Sequence, residues 1–201
     1  MDHTHHITHY KSLITKITLE DILTQVTVKH DMFTAIRNGL PVKCREPRGT
    51  AWFSNNNHTF AYGGKVMNPK PLPPILQTIA DQLEKSIKIR YDSVLVNYYP
   101  NGSSGMRYHS DPLMDPDNPT RQIWSDNSAV LSLGDTRRFK VRQTDLPKDD
   151  KKRFYKEYLV QNGDVIHMFN RCQQLFQHTV QTEKSTKAVG PRISLVFKHH
   201  L

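Results

Sequence analysis

The chain has 201 residues, of which 36% are hydrophobic and 23% are charged, and its formal net charge of +9 gives a pI near 9.6. This length fits one compact domain and suffices to bury a core without disulfides or a structural metal. The sequence has no apolar run of about 18 residues and no apolar segment near its start, so we expect neither a membrane span nor a secretory signal.

Charge and cysteine usage bound the partners and the compartment. A basic surface attracts polyanions, and nucleic acid is the commonest polyanion inside cells. Cys44 and Cys172 lie far apart and form no Cys-x-x-Cys motif. We therefore predict reduced thiols, a nucleic-acid partner, no membrane partner, and an intracellular location in the nucleus or the cytoplasm.

The first third of the chain is predicted to contain a tail, a short helix and short strands. Residues 1–16 are rich in His, which is typical of a flexible polar tail. Thr18 is followed by acids, and Leu19 and Ile22 recur at helical spacing, which predicts a short amphipathic helix. Pro, Gly and Asn punctuate residues 41–64, which favours short strands and turns.

The clearest helical pattern follows a proline-rich segment. Residues 68–74 read NPKPLPP, and proline fits the first turn of a helix because its missing N–H needs no partner there. This segment is followed by apolar residues at every third or fourth position, namely Ile75, Leu76, Ile79, Leu83 and Ile87. The spacing predicts a helix that packs one apolar stripe on a flat surface.

After Arg90 the hydrophobic period changes to two, which is typical of strands. Turns rich in Gly, Pro and Asn separate the short runs, and this favours a β-sandwich or barrel over a βαβ fold. We therefore predict a mainly β fold with flanking helices (α+β), in which residues 115–127 and 145–153 are surface loops. The predicted strands are Ser93–Tyr99, Ala129–Leu133, Arg137–Arg142, Tyr155–Val160, Asp164–Phe169, Leu175–Thr179 and Arg192–Lys198.

The segment His109-Ser110-Asp111 offers a nitrogen and an oxygen ligand to one point, because residues i and i+2 of an extended chain share a face. One further histidine would complete the set of two His and one carboxylate that leaves three positions of Fe(II) open. His167 and His178 both lie in predicted strands and are the candidates. A surface His and a turn Asp are the alternative interpretation.

The last predicted strand carries polar residues at alternate positions. Arg192, Ser194 and Lys198 share one face with Val196. Burying unpaired cations costs free energy, so these residues need either an anionic partner or water. Two interpretations fit: an edge strand with a solvated face, and a clamp in which a guanidinium binds a dicarboxylate.

From about Pro47 to Lys198, the chain resembles the AlkB family of Fe(II)- and 2-oxoglutarate-dependent dioxygenases, in particular its nucleic-acid dealkylation branch. One His-x-Asp is a weak signal, whereas the matching blocks follow the family's order along most of the chain. They are residues 47–53 (PRGTAWF), 59–64 (TFAYGG), 69–76 (PKPLPPIL), 94–99 (VLVNYY), 109–111 (HSD), 129–134 (AVLSLG), 163–165 (GDV), 175–178 (LFQH) and 192–198 (RISLVFK).

The resemblance implies a double-stranded β-helix (jelly-roll) core that follows an N-terminal nucleotide-recognition extension. Residues 17–201 would form a single dioxygenase domain after the tail. Within it, residues 17–90 would supply a recognition lid and supporting helices, and residues 91–201 would form the jelly-roll.

The resemblance also implies Fe(II), 2-oxoglutarate and O₂ as cofactors. It selects His178 over His167 as the third metal ligand beside the His-x-Asp pair. Arg192 and Tyr99 would hold the far carboxylate of 2-oxoglutarate. The rest of that pocket would be lined by Asn97, Ser132, Ser194 and Lys198.

The implied activity is oxidative demethylation of N-alkylated bases, such as 1-methyladenine and 3-methylcytosine, in DNA and secondarily in RNA, with release of formaldehyde, succinate and CO₂. The base must leave the duplex to reach the iron. Tyr62 matches an aromatic that stacks on the flipped base, opposite His109. We expect a monomer. Further substrate contacts are expected from Arg48, Trp52, Arg107 and Arg138, with Lys65 and Arg137 as additional phosphate contacts.

Several positions depart from the family pattern. Lys198 replaces an Arg and keeps its charge without the bidentate fork, and Ser194 replaces an Asn. Leu113 stands two positions after Asp111, where repair enzymes carry an acid, and Asp115 is the candidate substitute. Two alternatives are therefore kept: an Fe(II)/2-oxoglutarate hydroxylase or demethylase acting on a protein, and a catalytically silent scaffold that binds nucleic acid.

Overall fold

The structure is a computed structural model that describes residues 6–62, 65–144, 146, 150, 153–183 and 188–201. The helices are Leu19–Gln25 (α1), Pro74–Ile87 (α2) and Cys172–Leu175 (α3). The strands are Ile7–Tyr10 (β1), Met32–Arg37 (β2), Leu40–Arg45 (β3), Gly49–Ser54 (β4), Phe60–Tyr62 (β5), Lys65–Met67 (β6), Ser93–Tyr99 (β7), Met106–His109 (β8), Trp124–Gly134 (β9), Arg137–Gln143 (β10), Tyr155–Val160 (β11), Val165–Met168 (β12), Phe176–Val180 (β13) and Arg192–His200 (β14).

Two antiparallel sheets form the body of the protein. The main sheet has the strand order β1-β12-β9-β14-β7-β4, and the second sheet has the order β11-β10-β13-β8. Strands that are neighbours in a sheet are mostly distant in sequence, because the chain crosses repeatedly between the two layers, as in a jelly-roll. The predicted double-stranded β-helix core is confirmed.

Successive side chains of the central strands point to opposite faces of the main sheet, and this divides the core into two layers. Val94 and Val96 of β7 pack with α1 and α2, whereas Leu95 and Tyr99 of the same strand face the second sheet. The second of these layers, between the two sheets, is where the polar face of β14 lies. Any polar group on that face must therefore find its partner inside the sandwich.

The two predicted amphipathic helices are confirmed. Helix α1 begins with a capping box in which the N–H of Asp21 donates to Thr18 Oγ1 at 3.1 Å and the N–H of Thr18 donates to Asp21 Oδ2 at 2.9 Å. Helix α2 begins at Pro74 and buries Ile79 and Leu83. Both helices cover the face of the main sheet that points away from the second sheet.

The predicted flexible tail over residues 1–16 is wrong for the part of it that the structure describes. Strand β1 joins the edge of the main sheet, where Ile7 pairs with Met168. Ile14 is buried, and its N–H donates to the carbonyl of Gly163 at 3.1 Å. Polar composition did not prevent this, because the backbone of a sheet edge can pair while most of its side chains stay partly exposed.

Two hairpins, β2–β3 and β5–β6, form separate two-stranded sheets. Asn38 and Gly39 connect β2 to β3 with φ angles of 50° and 79°, the two-residue turn that matches the twist of a hairpin. Ile36 and Leu40, on either side of this turn, are 69% and 68% exposed. Short strands were predicted only after residue 40, so β2 was missed.

The predicted surface loop over residues 115–127 is wrong at its end, because β9 begins at Trp124. The Trp124 side chain is 1% exposed and meets Trp52 edge to face, with ring centroids 5.5 Å apart. The predicted loop over residues 145–153 lies mostly outside the described residues. Among the described helices, none has both the length and the apolar character that a membrane crossing requires.

Candidate functional site

Three side chains converge on one point, two from the second sheet and one from the segment that follows β8. His109 ends β8, and His178 lies directly opposite on β13, with the ring centroids 4.3 Å apart. Asp111 Oδ1 lies 3.8 Å from His109 Nε2 and 3.7 Å from His178 Nε2. All three ligand atoms lie within 4.8 Å of one another, and no other group of three or more His, Cys, Asp or Glu side chains in the described chain meets this test.

Neighbouring groups fix the orientation of this triad, His109, Asp111 and His178. His109 Nδ1 lies 2.9 Å from the carbonyl oxygen of Arg107, so an Nδ1–H can donate there and leave Nε2 as the ligand atom. The N–H of Asp111 donates to Gln173 Oε1 at 2.8 Å. These contacts restrict the rotation of two ligands before any metal binds.

The electrostatic surroundings favour the protonation states that bind a metal. Burial alone would raise the pKa of Asp111, but Lys198, whose Nζ lies 3.4 Å from Oδ2, and the two imidazoles outweigh it and hold the pKa at about 2. Burial, and then the proximity of His109, lower the pKa of His178 to about 3. Near pH 7 the carboxylate is therefore ionised and the buried imidazole neutral, as metal ligation requires.

The polar face of β14 lies beside the triad and is buried. The edge-strand interpretation is wrong, since β14 lies between β9 and β7 in the main sheet. Arg192, Ser194 and Lys198 are 0%, 3% and 1% exposed. The register places Ser194 opposite Asn97 of β7 and Ser132 of β9, so that one polar row crosses three strands.

Arg192 carries the clearest sign of an anionic ligand. Its Nη2 donates to Ser132 Oγ at 2.7 Å, whereas its buried Nε and Nη1 have no hydrogen-bond partner in the described part of the chain. Burial lowers the pKa of Arg192 to about 10, so the guanidinium stays charged at neutral pH. Two unpaired donors on one planar cation fit the two oxygens of a carboxylate. The residues present therefore fit a keto diacid beside a metal ion.

A cavity of about 390 Å³ joins the triad to this polar row. Asn97, Tyr99 and Ser194 line it on the side of the main sheet, and Phe60 and Tyr62 line it from hairpin β5–β6. Clefts of this size, mostly apolar with a few convergent polar groups, are typical of small-ligand sites. The cavity has room for reactants on the open side of the triad.

His167, the other candidate for the third ligand, lies outside this site. Ile166 and Met168 face the second sheet, so His167 faces the opposite side of the main sheet. Its ring stacks with those of Tyr10 and Phe169, at centroid distances of 6.5 and 4.8 Å. Burial lowers the pKa of His167 to about 4.

Two residues predicted to contact the substrate are instead internal. Trp52 is 3% exposed, stacks on Phe60 with the ring centroids 4.6 Å apart, and donates its Nε1–H to the carbonyl of His58 at 2.8 Å. Arg137 is 0% exposed and donates to the backbone carbonyls of Ser104 and Gln181. Both predictions are wrong, because Trp52 packs in the core and Arg137 anchors loop carbonyls.

Arg48 is also buried, at 7% exposure, which contradicts the predicted phosphate contact. Its Nε donates to Asn97 Oδ1 at 2.9 Å, so it supports the cavity lining from behind. Arg107 is exposed, and Arg138 forms an ion pair of 2.8 Å with Glu183. The roles of these last two arginines in binding phosphate stay predictions.

Leu113 stands two positions after Asp111, where an acid was expected from the resemblance, and it packs in the core. Leu113 is 9% exposed and belongs to the layer between the sheets. Asp115 accepts a hydrogen bond from the N–H of Asp117 at 2.9 Å in its own turn and does not line the cavity, so the predicted substitution by Asp115 is wrong. Among the described residues that line the cavity, Asp111 is the only carboxylate.

Two residues near the cavity were not predicted to contribute. Phe60 lies two positions before Tyr62 on β5, and the shared face of a strand was the signal that could have found it. Glu46 accepts a hydrogen bond from the Tyr62 hydroxyl at 3.3 Å. No local pattern marks Glu46, because the partners that connect it to hairpin β5–β6, Tyr62 and Lys65, are distant in sequence.

The comparison with known families agrees with this geometry. The sequence profile of the 2OG-Fe(II) oxygenase superfamily matches residues 7–198. The chain belongs to this superfamily. The triad supplies the two histidines and one carboxylate that bind the iron of such an enzyme, so the chain is an Fe(II)- and 2-oxoglutarate-dependent dioxygenase whose cofactors are Fe(II), 2-oxoglutarate and O₂.

Three relatives illustrate the similarity. Uncharacterized protein R406 of Acanthamoeba polyphaga mimivirus is 27% identical over 89% of this chain and 85% of its own length. Alpha-ketoglutarate-dependent dioxygenase alkB homolog 3 of Bos taurus is 31% identical over 82% of this chain and 55% of its own. DNA oxidative demethylase ALKBH2 of Homo sapiens is 26% identical over 76% of this chain and 56% of its own. The chain thus spans about half the length of the AlkB relatives.

The fold similarity extends over nearly the whole chain. The solved structure of OsALKBH1 aligns with a TM-score of 0.59, covering 96% of this chain and 97% of that one. The sequence identity is 17%, so this comparison supports the shared fold alone.

Proposed function

We propose that this dioxygenase oxidatively demethylates N-methylated nucleobases, such as 1-methyladenine and 3-methylcytosine, in DNA and secondarily in RNA. One observation carries the proposal: a single cavity contains the triad and, from a separate hairpin, the rings of Phe60 and Tyr62. Aromatic rings beside a metal centre suit a flat base that has rotated out of its stack. The net charge of +9 supports a substrate that bears phosphates, and one relative is itself named a DNA oxidative demethylase.

In this proposal His109, Asp111 and His178 hold the iron. When bound, Fe(II) with 2-oxoglutarate activates O₂ to oxidise the methyl group, and the products are succinate, CO₂, formaldehyde and the demethylated base. Three protein ligands leave three positions for reactants. Lys198 binds Asp111 Oδ2, which leaves Oδ1 directed at the two imidazoles.

The polar row of β14 and its neighbours binds the cosubstrate. Arg192 offers Nε and Nη1 to the far carboxylate, and Tyr99 packs beside it with the guanidinium carbon 5.3 Å from the ring centroid. The remaining polar groups of the pocket come from Asn97, Ser132, Ser194 and Lys198. Because these groups are held by central strands, they need little rearrangement when the keto acid enters.

The base binds between the ring of Tyr62 and the imidazole of His109. Stacking of this kind contributes about 1–3 kcal/mol per base. Because Leu113 replaces the usual acid and is buried, recognition of the base rests on stacking and cavity shape rather than on a second carboxylate. Arg107 and Arg138 provide the phosphate contacts in this proposal.

The test is a demethylation assay with oligonucleotides that carry 1-methyladenine or 3-methylcytosine, with Fe(II), 2-oxoglutarate and ascorbate. We expect formaldehyde and the unmethylated base by mass spectrometry, and neither product from the triad variant Asp111→Ala. Turnover of 2-oxoglutarate with a methylated protein but with no methylated base would support the protein-substrate alternative. Absence of any 2-oxoglutarate turnover in the iron-loaded protein would support the silent scaffold.

The monomeric state and the nuclear or cytoplasmic location stay predictions. So does the assignment of a single domain, which the pairing of β1 with β12 extends to the described residues before residue 17. Size-exclusion chromatography with light scattering tests the monomer directly.

A further inference from the structure

A largely buried acid, Glu46, contacts residues beside two parts of the cavity. Glu46 lies between β3 and β4, and its side chain is 11% exposed. Its Oε1 accepts the hydroxyl hydrogen bond of Tyr62 at 3.3 Å and lies 3.7 Å from Arg48 Nη2. Its Oε2 lies 3.4 Å from Lys65 Nζ. Both carboxylate oxygens therefore have partners, and these come from two separate parts of the fold.

The contacts of Glu46 with Tyr62 and Lys65, called here the substrate arm, hold hairpin β5–β6. Tyr62 ends β5 and Lys65 begins β6, so Glu46 contacts the adjacent ends of both strands. Lys65 also donates to Thr50 Oγ1 at 2.8 Å and forms an ion pair with Asp31. Among the described strands, hairpin β5–β6 makes no ladder with the main sheet or the second sheet, so these side-chain contacts supplement its apolar packing.

The contacts from Glu46 through Arg48 to Asn97, called here the cosubstrate arm, lead to the part of the cavity proposed to bind 2-oxoglutarate. Arg48 donates its Nε to Asn97 Oδ1 at 2.9 Å, and Asn97 lines the cavity opposite Ser194 in the polar row. The guanidinium carbon of Arg48 also lies 5.5 Å from the Tyr62 ring centroid. Removing Glu46 would leave two buried or half-buried cations without this counter-ion, which makes both arms move.

We propose that Glu46 is a positioning residue that couples the orientation of Tyr62 at the cavity mouth to that of Asn97 on the cosubstrate side. The inference rests on the proposed function for its substrate arm alone, because the cosubstrate arm concerns 2-oxoglutarate. Glu46 does not line the cavity and touches no reacting atom, so its effect passes through Tyr62 and Arg48.

The experiment compares Glu46→Ala, Glu46→Gln and Tyr62→Phe with the wild-type protein. Two quantities are measured: the Kd for a 1-methyladenine oligonucleotide by fluorescence anisotropy without iron, and the KM for 2-oxoglutarate in turnover without nucleic acid. The matched control is Glu157→Ala, which removes another Glu–Lys ion pair, the 2.9 Å contact with Lys140. Thermal melts show that each variant is folded.

We expect Glu46→Ala to raise the oligonucleotide Kd about 10-fold and the 2-oxoglutarate KM about 3-fold. Tyr62→Phe cannot donate to Glu46 but keeps the aromatic ring, so it should raise the oligonucleotide Kd through loss of this hydrogen bond alone. Combining Glu46→Ala with Tyr62→Phe should raise the Kd by less than the product of the two single effects, because both changes remove the hydrogen bond between Tyr62 and Glu46. Glu46→Gln keeps an acceptor for Tyr62 but loses the charge, so its Kd should stay near wild type while its KM rises.

Values of Kd and KM within about twofold of wild type in folded Glu46→Ala would overturn the proposal. Equal effects of Glu157→Ala would also overturn it, because they would indicate a general charge effect. If Glu46→Ala does not fold, Glu46→Gln decides the question, because its KM for 2-oxoglutarate should rise while its oligonucleotide Kd stays near the wild-type value. Failure of the wild-type protein to bind any oligonucleotide would overturn the proposed function, and the KM measurements would still test the coupling to Asn97.

Discussion

The triad and the two hairpins β2–β3 and β5–β6 differ in how the fold supports them. His109 and His178 lie on paired strands of a sheet whose inner face is packed, and Arg192 lies on a strand with neighbours on both sides. Hairpins β2–β3 and β5–β6 form their own two-stranded sheets, and large apolar side chains such as Ile36 and Val66 are 69% and 64% exposed there. The triad and Arg192 thus lie on strands of the two large sheets, whereas the hairpin that we propose for base recognition is held largely by side chains.

This difference has a physical consequence. Groups on central strands are preorganised, so removing one loses its chemistry while the sandwich persists. Groups on the hairpins can adjust to different substrates, because few backbone contacts fix them. Substitutions in the central-strand site should therefore affect 2-oxoglutarate turnover, whereas substitutions in the hairpins should affect oligonucleotide binding.

His178→Ala should abolish 2-oxoglutarate turnover and leave the fold largely intact. The variant loses one of three metal ligands, while β13 keeps its ladder with β10 and β8. The measurement is succinate formation together with a thermal melt. His167→Gln is the matched control and should keep turnover; loss of turnover in that control with retention in His178→Ala would reverse the ligand assignment.

Arg192→Met should raise the KM for 2-oxoglutarate about 100-fold. Loss of a buried guanidinium from its carboxylate partner costs about 2–5 kcal/mol. Arg138→Met removes a cation that is 34% exposed and should leave this KM unchanged. Steady-state kinetics without nucleic acid measure both variants, and an unchanged KM in Arg192→Met would remove the proposed carboxylate site.

Tyr62→Ala should weaken binding of a methylated oligonucleotide about 10-fold, within the 1–3 kcal/mol that one stacked base contributes. Turnover of 2-oxoglutarate without nucleic acid should not change. Tyr155→Ala, at a position that is 54% exposed on the second sheet, serves as the control. Equal weakening by both variants would indicate a diffuse aromatic surface rather than a base site.

The stability of the main sheet should decrease as the pH falls from about 6.5 to 4. Burial lowers the pKa of His167 to about 4, so between these values the unfolded chain binds a proton that the folded chain excludes. The contribution of neutral His167 is fully present above pH 6.5 and is lost on acidification, with a slope of at most about 1.4 kcal/mol per pH unit. His167→Gln should flatten the dependence of Tm on pH; an unchanged slope would contradict this account.

Regular patterns in the sequence predicted the central strands well. Residues 137–142 alternate between buried and partly exposed side chains, and periodicity reports that burial directly, whereas residues 93–99 are buried on both faces of their strand. The alternation of Arg192, Ser194 and Lys198 likewise indicated a special face, although only the structure shows that β14 is central.

Long-range partners explain what the sequence could not predict. Strand β1 forms because β12 offers an edge to Ile7, and nothing near residue 7 records that pairing. Arg137 and Arg48 are charged and local patterns place them on the surface, but backbone carbonyls and Asn97 from distant segments satisfy them inside. The turn at Asn38-Gly39 was a readable hairpin signal that the sequence analysis did not use.

The most direct test of the central claim is a crystal structure of the protein with Mn(II) in place of Fe(II) and with 2-oxoglutarate. We predict one metal ion bound by His109, Asp111 and His178, with the keto acid in the cavity and its far carboxylate on Arg192 Nε and Nη1. A metal bound elsewhere, or a keto acid whose far carboxylate lies away from Arg192, would contradict the account.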